Sequence, residues 1–101
     1  MPGQIATTFQ LGGTTMGSGQ GMYVVGNLAQ LGGWNTAQAV PLTASGGGWG
    51  TAVGLPGNTG VQYKYLKKDS AGNVVWESNP NRVFTTPGSG SVQRTDTWGQ
   101  L

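Results

Sequence analysis

Turn-forming residues cut this chain into segments too short to build anything but a sheet. Gly32-Gly33, Gly46-Gly47-Gly48, Pro56-Gly57-Asn58, Gly72-Asn73 and Pro87-Gly88 punctuate it, each a place where the backbone reverses at little cost. Between them apolar and polar residues alternate, as half-buried strands require. Ile5, Thr7, Phe9 and Leu11 fall on one face of a strand, and Trp49, Thr51, Val53 and Leu55 on the inner face of another. Val61, Tyr63 and Tyr65 share one side of the clearest central strand, with Gln62, Lys64 and Leu66 on the other. Residues 22–27, 74–76, 83–86 and 91–98 supply further strands. With no long 3.6-period segment, roughly seven or eight short strands predict an all-β fold, an antiparallel β-sandwich or open barrel.

At 101 residues the chain is a single domain, 1–101, with no internal repeat or linker. Charged residues are only 8% of it, so its surface must be built largely from Gly, Ser, Thr, Asn and Gln. Such a surface suits an extracellular protein or one that meets neutral polymers. A net charge of +2 is too weak for strong phosphate binding, where each neutralised phosphate needs its own cation. No run approaches a membrane span, and Met1-Pro2-Gly3 does not begin a signal peptide. An initiator methionine just ahead of a strand fits a module excised from a longer parent chain.

The stretch from Leu28 to Leu42 reads as irregular. A short helical turn at 27–31 is stopped by Gly32-Gly33, Pro41 biases Val40 toward an extended backbone, and Leu28, Leu31 and Leu42 pin the loop to the core. Asp69 to Asn73 is a hairpin turn in which Gly72 and Asn73 readily take positive φ. Gly99-Gln100-Leu101 reads as a frayed end.

Catalysis is excluded largely by subtraction. The acids are Asp69, Glu77 and Asp96 alone, and glycosidase chemistry would need two of them facing each other across a scissile bond. Asp69 lies in a turn and Asp96 near the end, both far along the sequence from Glu77. Histidine and cysteine are absent, which removes the common general base, the thiol nucleophile, any disulfide and the soft metal ligands. The chain reads as a binder rather than an enzyme, with no cofactor and no metal.

The tryptophans point to what it binds. Trp49 and Trp98 fall on inward registers and belong to the core. Trp34 follows two glycines in a stretch without periodic apolar partners, which favours exposure. Trp76 ends a strand beside Glu77, and by pattern alone it faces either way. An exposed indole pair would make an apolar patch of the kind that marks a binding site. A pyranose ring stacks its C–H face on indole, and its hydroxyls need polar partners at the rim. Lys64 donates, Glu77 accepts, and Asn81 does both. The plainer reading of Glu77 and Lys64 is a cross-strand salt bridge, and of Asn79-Pro80-Asn81 a turn.

Several of these residues carry a resemblance. Tyr23-Val24-Val25-Gly26-Asn27, then Gln30-Leu31-Gly32-Gly33-Trp34, Trp49 leading to Leu55-Pro56, Tyr63-Lys64-Tyr65 and Trp76-Glu77-Ser78-Asn79-Pro80-Asn81-Arg82 resemble the starch-binding domains of carbohydrate-binding module family 20. The match runs in order from about Phe9 to Trp98, and Thr95-Asp96-Thr97-Trp98 is similar to the glucoamylase version. The resemblance implies an immunoglobulin-like antiparallel β-sandwich, or open-sided barrel, of roughly seven to eight strands. It implies a first glucan site formed by Trp34, Lys64, Trp76, Glu77 and Asn81, with Trp76 exposed. It also implies binding of starch, glycogen, maltooligosaccharides or cyclodextrin by a secreted, monomeric accessory module tethered to a glycoside hydrolase or glucanotransferase domain.

The family's second site uses tyrosines from two loops that here read Gly17-Ser18-Gly19-Gln20-Gly21 and Ser45-Gly46-Gly47-Gly48. Neither loop has an aromatic, so that site is expected to be weak or missing. Two other readings stand beside glucan binding. Exposed aromatics near lysine also stack single-stranded nucleic acid bases, though the five basic residues are dispersed. A structural sandwich domain would turn Trp34 and Trp76 toward a neighbouring domain.

Overall fold

The computed structural model of the chain describes residues 4–17 and 19–100, and of Ser45 the backbone. Ser18 and Leu101 lie outside the described residues. The strands are β1 (Ile5–Gly12), β2 (Gln20–Gly26), β3 (Val40–Pro41), β4 (Thr43–Ser45), β5 (Gly48–Leu55), β6 (Gly60–Asp69), β7 (Val74–Trp76), β8 (Arg82–Thr85) and β9 (Ser91–Thr97). They form two sheets, β4-β5-β1-β9 and β3-β2-β6, with β7 and β8 both pairing β6. This is an all-β sandwich, as the alternation of residue types requires.

The inner faces follow the period of two. Ile5, Thr7, Phe9 and Leu11 are buried on β1, and Val61, Tyr63 and Tyr65 on β6. Phe9, Tyr63 and Phe84 meet edge to face with centroids 5.0 to 6.3 Å apart, the arrangement aromatic quadrupoles favour. Trp49 and Trp98 are partly buried against this core. Leu31 and Leu42 are buried and Leu28 packs beside them, so the leucines hold the 28–42 stretch as expected.

The structure departs from the sequence reading in several places. β1 and β9 run parallel, whereas antiparallel pairing was expected throughout. Parallel neighbours need a long crossover, and here the chain between the first and last strands supplies it. β3 arises within the 28–42 stretch read as irregular, where Pro41 extends the backbone, and β4 arises just beyond it; each short segment finds an open sheet edge. Residues Ala29–Trp34 and Thr36–Gln38 form 3-10 turns. In the hairpin only Gly72 takes positive φ. The Asp69 carboxylate builds that turn, accepting from Ala71 N–H, Asn73 N–H and Asn73 Nδ2 at 2.9 to 3.0 Å, and these bonds hold its carboxyl below the usual carboxylate range. Gly99 and Gln100 are not frayed: Gly99 N–H donates to Glu77 Oε1 at 3.2 Å and Gln100 N–H to Thr97 O at 3.0 Å.

Candidate functional site

The segment 76–82 is anchored by a buried ion network. Glu77 is 1% exposed. Its Oε2 accepts from Tyr65 N–H at 2.9 Å and Arg82 Nε at 3.0 Å, and its Oε1 from Arg82 Nη2 at 2.7 Å and Gly99 N–H at 3.2 Å. Arg82 also donates to the Thr97 carbonyl at 2.7 Å and lies 3.5 Å from Asp96 Oδ1. Asp96 Oδ2 accepts from the Tyr63 and Tyr65 hydroxyls, both at 2.7 Å. Burial is the main cause that pushes both phenols far above their ordinary range, and the Asp96 charge adds to it.

This network corrects two expectations. Glu77 does not offer its carboxylate at the surface: both oxygens are saturated from below, and its partner is Arg82 rather than Lys64. Glu77 and Asp96, distant in sequence, converge on one guanidinium. Their separation along the chain was therefore the wrong argument against paired carboxylates; the sound one is that both are already bound to protein donors.

Above this network lies the outer face of the β6 sheet. Register places Tyr23, Leu66 and Trp76 in one cross-strand row, Val25 and Lys64 in the next, and Gln62 and Val83 in a third. Val25 and Leu66 are fully buried although they point away from the main core, so this face carries a small apolar layer of its own. Trp76 lies on it 40% exposed, with the Lys64 ammonium 5.8 Å from its ring centroid. Asn81 is exposed, its Nδ2 3.5 Å from Gln62 Oε1.

Trp34 lies on a different element. The 3-10 segment that ends at Trp34 packs against β2. Lys68, on the outer side of β6 opposite Val74, donates to the Thr36 carbonyl at 2.7 Å and lies 4.2 Å over the Tyr23 ring. That bond ties the backbone two residues beyond Trp34 to the sheet beside the Leu66–Trp76 row. Gly32 at φ +85° permits the tight path, since a Cβ there would lie 2.7 Å from the Gln38 carbonyl oxygen. Trp34 itself is half-buried and has φ +64°. A bulky residue in this left-handed region costs about 1–2 kcal/mol, and such strain collects at functional sites.

The structure thus brings Lys64 and Trp76 to one face, with Asn81 reaching Gln62 on it and Glu77 buried in the ion network. Trp34 ends its segment two residues before Thr36, which the Lys68 bond ties to this sheet. Sequence reasoning missed Arg82, Lys68 and Tyr23 as supports. Arg82 was visible as the cation ending the Trp76–Arg82 motif, whereas nothing in sequence links Lys68 to Thr36. Lys67 is also engaged, with Thr14 Oγ1 at 2.7 Å and Thr15 O at 2.8 Å. Among the described residues Lys64 alone of the β6 lysines keeps its ammonium off protein acceptors.

The outer face of the other sheet holds a depression of about 760 Å³, lined among others by Gln10, Thr43, Gly48, Trp49, Gly50 and Thr95. Only glycines occupy its 46–48 rim, and Trp49, while contributing to the lining, is packed against the core. No helix is long and apolar enough to cross a membrane among the described residues.

Comparison with known proteins fits this geometry. The starch-binding domain model matches residues 4–96. An α-amylase from Streptomyces violaceus is 46% identical over 92 residues, covering 90% of this chain and 16% of that protein. Glucoamylase-1 of Schizophyllum commune is 42% identical over 95 residues, covering 93% of this chain and 16% of that protein. The solved family 20 carbohydrate-binding module of a maltotetraose-forming amylase from Pseudomonas saccharophila superposes with a TM-score of 0.79 at 28% identity, over 93% of this chain and all of that one. The chain therefore spans about one-sixth of the length of these curated relatives, and it belongs to the starch-binding domain family, carbohydrate-binding module family 20.

Proposed function

We propose that the domain binds α-1,4-glucans, without catalysing their cleavage, by stacking sugar rings on Trp34 and Trp76. The observation that carries this reading is the 40% exposed indole of Trp76, set beside the Lys64 ammonium on a face that has its own buried layer. Lys64 and Asn81 supply rim contacts to hydroxyls. Glu77 acts from beneath, fixing the turn that carries Trp76 and Asn81 through Arg82 and Gly99. Affinity is modest, because one stacked platform must offset the cost of ordering a flexible sugar.

The relatives are long enzymes of which this chain matches a small part. The proposed role is accordingly to hold a tethered amylolytic domain against starch, glycogen or soluble maltooligosaccharides outside the cell. The Ser45–Gly48 rim brings no aromatic, so a single glucan site is expected. Nucleic acid is disfavoured because Arg82 is buried in its ion network and Lys67 and Lys68 hold loops. Arg94 packs over the Phe84 ring and donates to the Tyr63 hydroxyl at 3.4 Å, which leaves Lys64 as the ammonium on the Trp76 face to meet phosphates.

Titration with β-cyclodextrin while following backbone amide shifts, with cellohexaose as control, tests the reading. Shifts that saturate as one site around Trp34, Lys64, Trp76 and Asn81 support it. No response to β-cyclodextrin would sink it and turn attention to Trp34 and Trp76 as contacts to a neighbouring domain. A second cluster near Gly47 would show that two sites operate.

A further inference from the structure

Among the described residues the large apolar side chains left exposed are Trp76, Val75 and Val83, and Val83 is the most exposed at 64%. Its position matters more than its exposure. β7 and β8 both pair with β6, so Trp76 opposite Leu66 and Val83 opposite Gln62 stand in two rows of one outer face. The rows are four residues apart along β6, about 13 Å at ordinary strand rise. Lys64 lies between them on β6. Asn81 lies one position before β8 and reaches Gln62 Oε1 with its own amide at 3.5 Å. On the far side of the row, Asn27 Oδ1 accepts the Gln62 N–H at 2.9 Å.

The face is therefore a track rather than a spot: indole, then ammonium and amide, then an exposed isopropyl group flanked by another amide. Val83 with Gln62 repeats in smaller form the chemistry of Trp76 with Lys64, an apolar step for a C–H face and a hydrogen-bonding group for its hydroxyls. A solvated valine alone would need no explanation. One that continues a binding face in line does.

We propose that Gln62 and Val83 form an additional contact for the same glucan, engaged by linear chains long enough to run past Lys64 and Asn81. This rests on the Trp34–Trp76 platform reading. The contact makes the domain discriminate by chain length, favouring long linear maltooligosaccharides over short ones.

Calorimetric titration with maltotriose and with maltoheptaose, on the unaltered domain and on the variants Val83→Thr, Gln62→Ala and Trp76→Ala, tests it. Val83→Thr keeps the branched shape and replaces one methyl group on an exposed strand, so the fold is retained; urea unfolding checks that. The ratio of maltoheptaose to maltotriose affinity should fall about three- to tenfold in Val83→Thr with Gln62→Ala, the loss of one modest apolar contact and one hydrogen bond. An unchanged ratio, whether because neither affinity moves or because both fall equally, overturns the proposal while leaving the platform intact if Trp76→Ala abolishes binding of both sugars. If Trp76→Ala leaves both affinities unaltered, the platform reading fails and this contact fails with it.

Discussion

Glu77→Gln separates a residue that touches sugar from one that holds the site together. The two Glu77 oxygens accept from Tyr65 N–H, Arg82 Nε, Arg82 Nη2 and Gly99 N–H. Whichever way a glutamine amide is turned, its NH2 faces two N–H donors, so two bonds and the charge are lost. Removing one partner of a buried pair costs about 3–5 kcal/mol. Asp96 at 3.5 Å and the Thr97 carbonyl at 2.7 Å still serve Arg82, which places the expected cost near the lower end, about 3 kcal/mol. Against a total of about 5–15 kcal/mol for a domain of this size, that is a large fraction. It corresponds to a fall in the urea midpoint of about 1–3 M and in Tm of about 12–24 °C. Urea unfolding followed by tryptophan fluorescence measures the first, and β-cyclodextrin calorimetry well below the variant's Tm measures binding by the folded form. The expected result is lost stability with affinity changed less than about threefold, or 0.7 kcal/mol. Stability held within about 0.5 kcal/mol while affinity drops tenfold would refute the argument and return Glu77 to the sugar.

Four further outcomes follow from the same contacts. Trp76→Ala should weaken β-cyclodextrin binding about thirtyfold or more, since a central aromatic anchor contributes about 2 kcal/mol or more; calorimetry reads this directly. Lys68→Met should cost about 1–2 kcal/mol of local stability through the lost Thr36 bond and Tyr23 contact, visible as faster amide exchange at Gly33 and Asn35 and a few-fold weaker sugar binding. Gly32→Ala should destabilise by at least about 1–2 kcal/mol, because its φ is +85° and the new Cβ meets the Gln38 carbonyl oxygen; a urea melt measures it. Tyr63 and Tyr65 have phenol pKa values raised by burial and by Asp96. The fold thus binds protons that the unfolded chain releases, so this stability is fully present below about pH 10 and is lost as pH rises above it. Alkaline titration at 295 nm should show these two phenolates appearing only as the domain unfolds.

The reading of the fold from the sequence succeeded where period and face coincide. In β1, β5 and β6 alternate residues are mostly apolar because one side meets a core, and the structure buries that side on β1 and β6 and buries Leu55, with Trp49 and Val53 partly buried, on β5. Leu66 shows the limit of that rule. It lies on the outer side of β6 yet is fully buried, since Tyr23 and Trp76 flank it across the sheet. Period two identifies sides but not what covers them.

The site divides along the same line. That Trp34, Lys64, Trp76 and Asn81 could serve one polymer was legible from residue chemistry and motif order, because an indole, an ammonium and an amide have fixed capacities wherever they lie. Which of them faces solvent, and that Glu77 faces inward, was settled by long-range contacts: Glu77 with Gly99, Lys68 with Thr36, Arg82 with Asp96. These join residues separated by many positions, and no local pattern encodes such pairings. The chain's sequence alone decided that it would be a sheet protein with sugar-suited side chains; only tertiary structure decided which acid would bind protein instead, because burial, not residue type, determines where a carboxylate finds its donors.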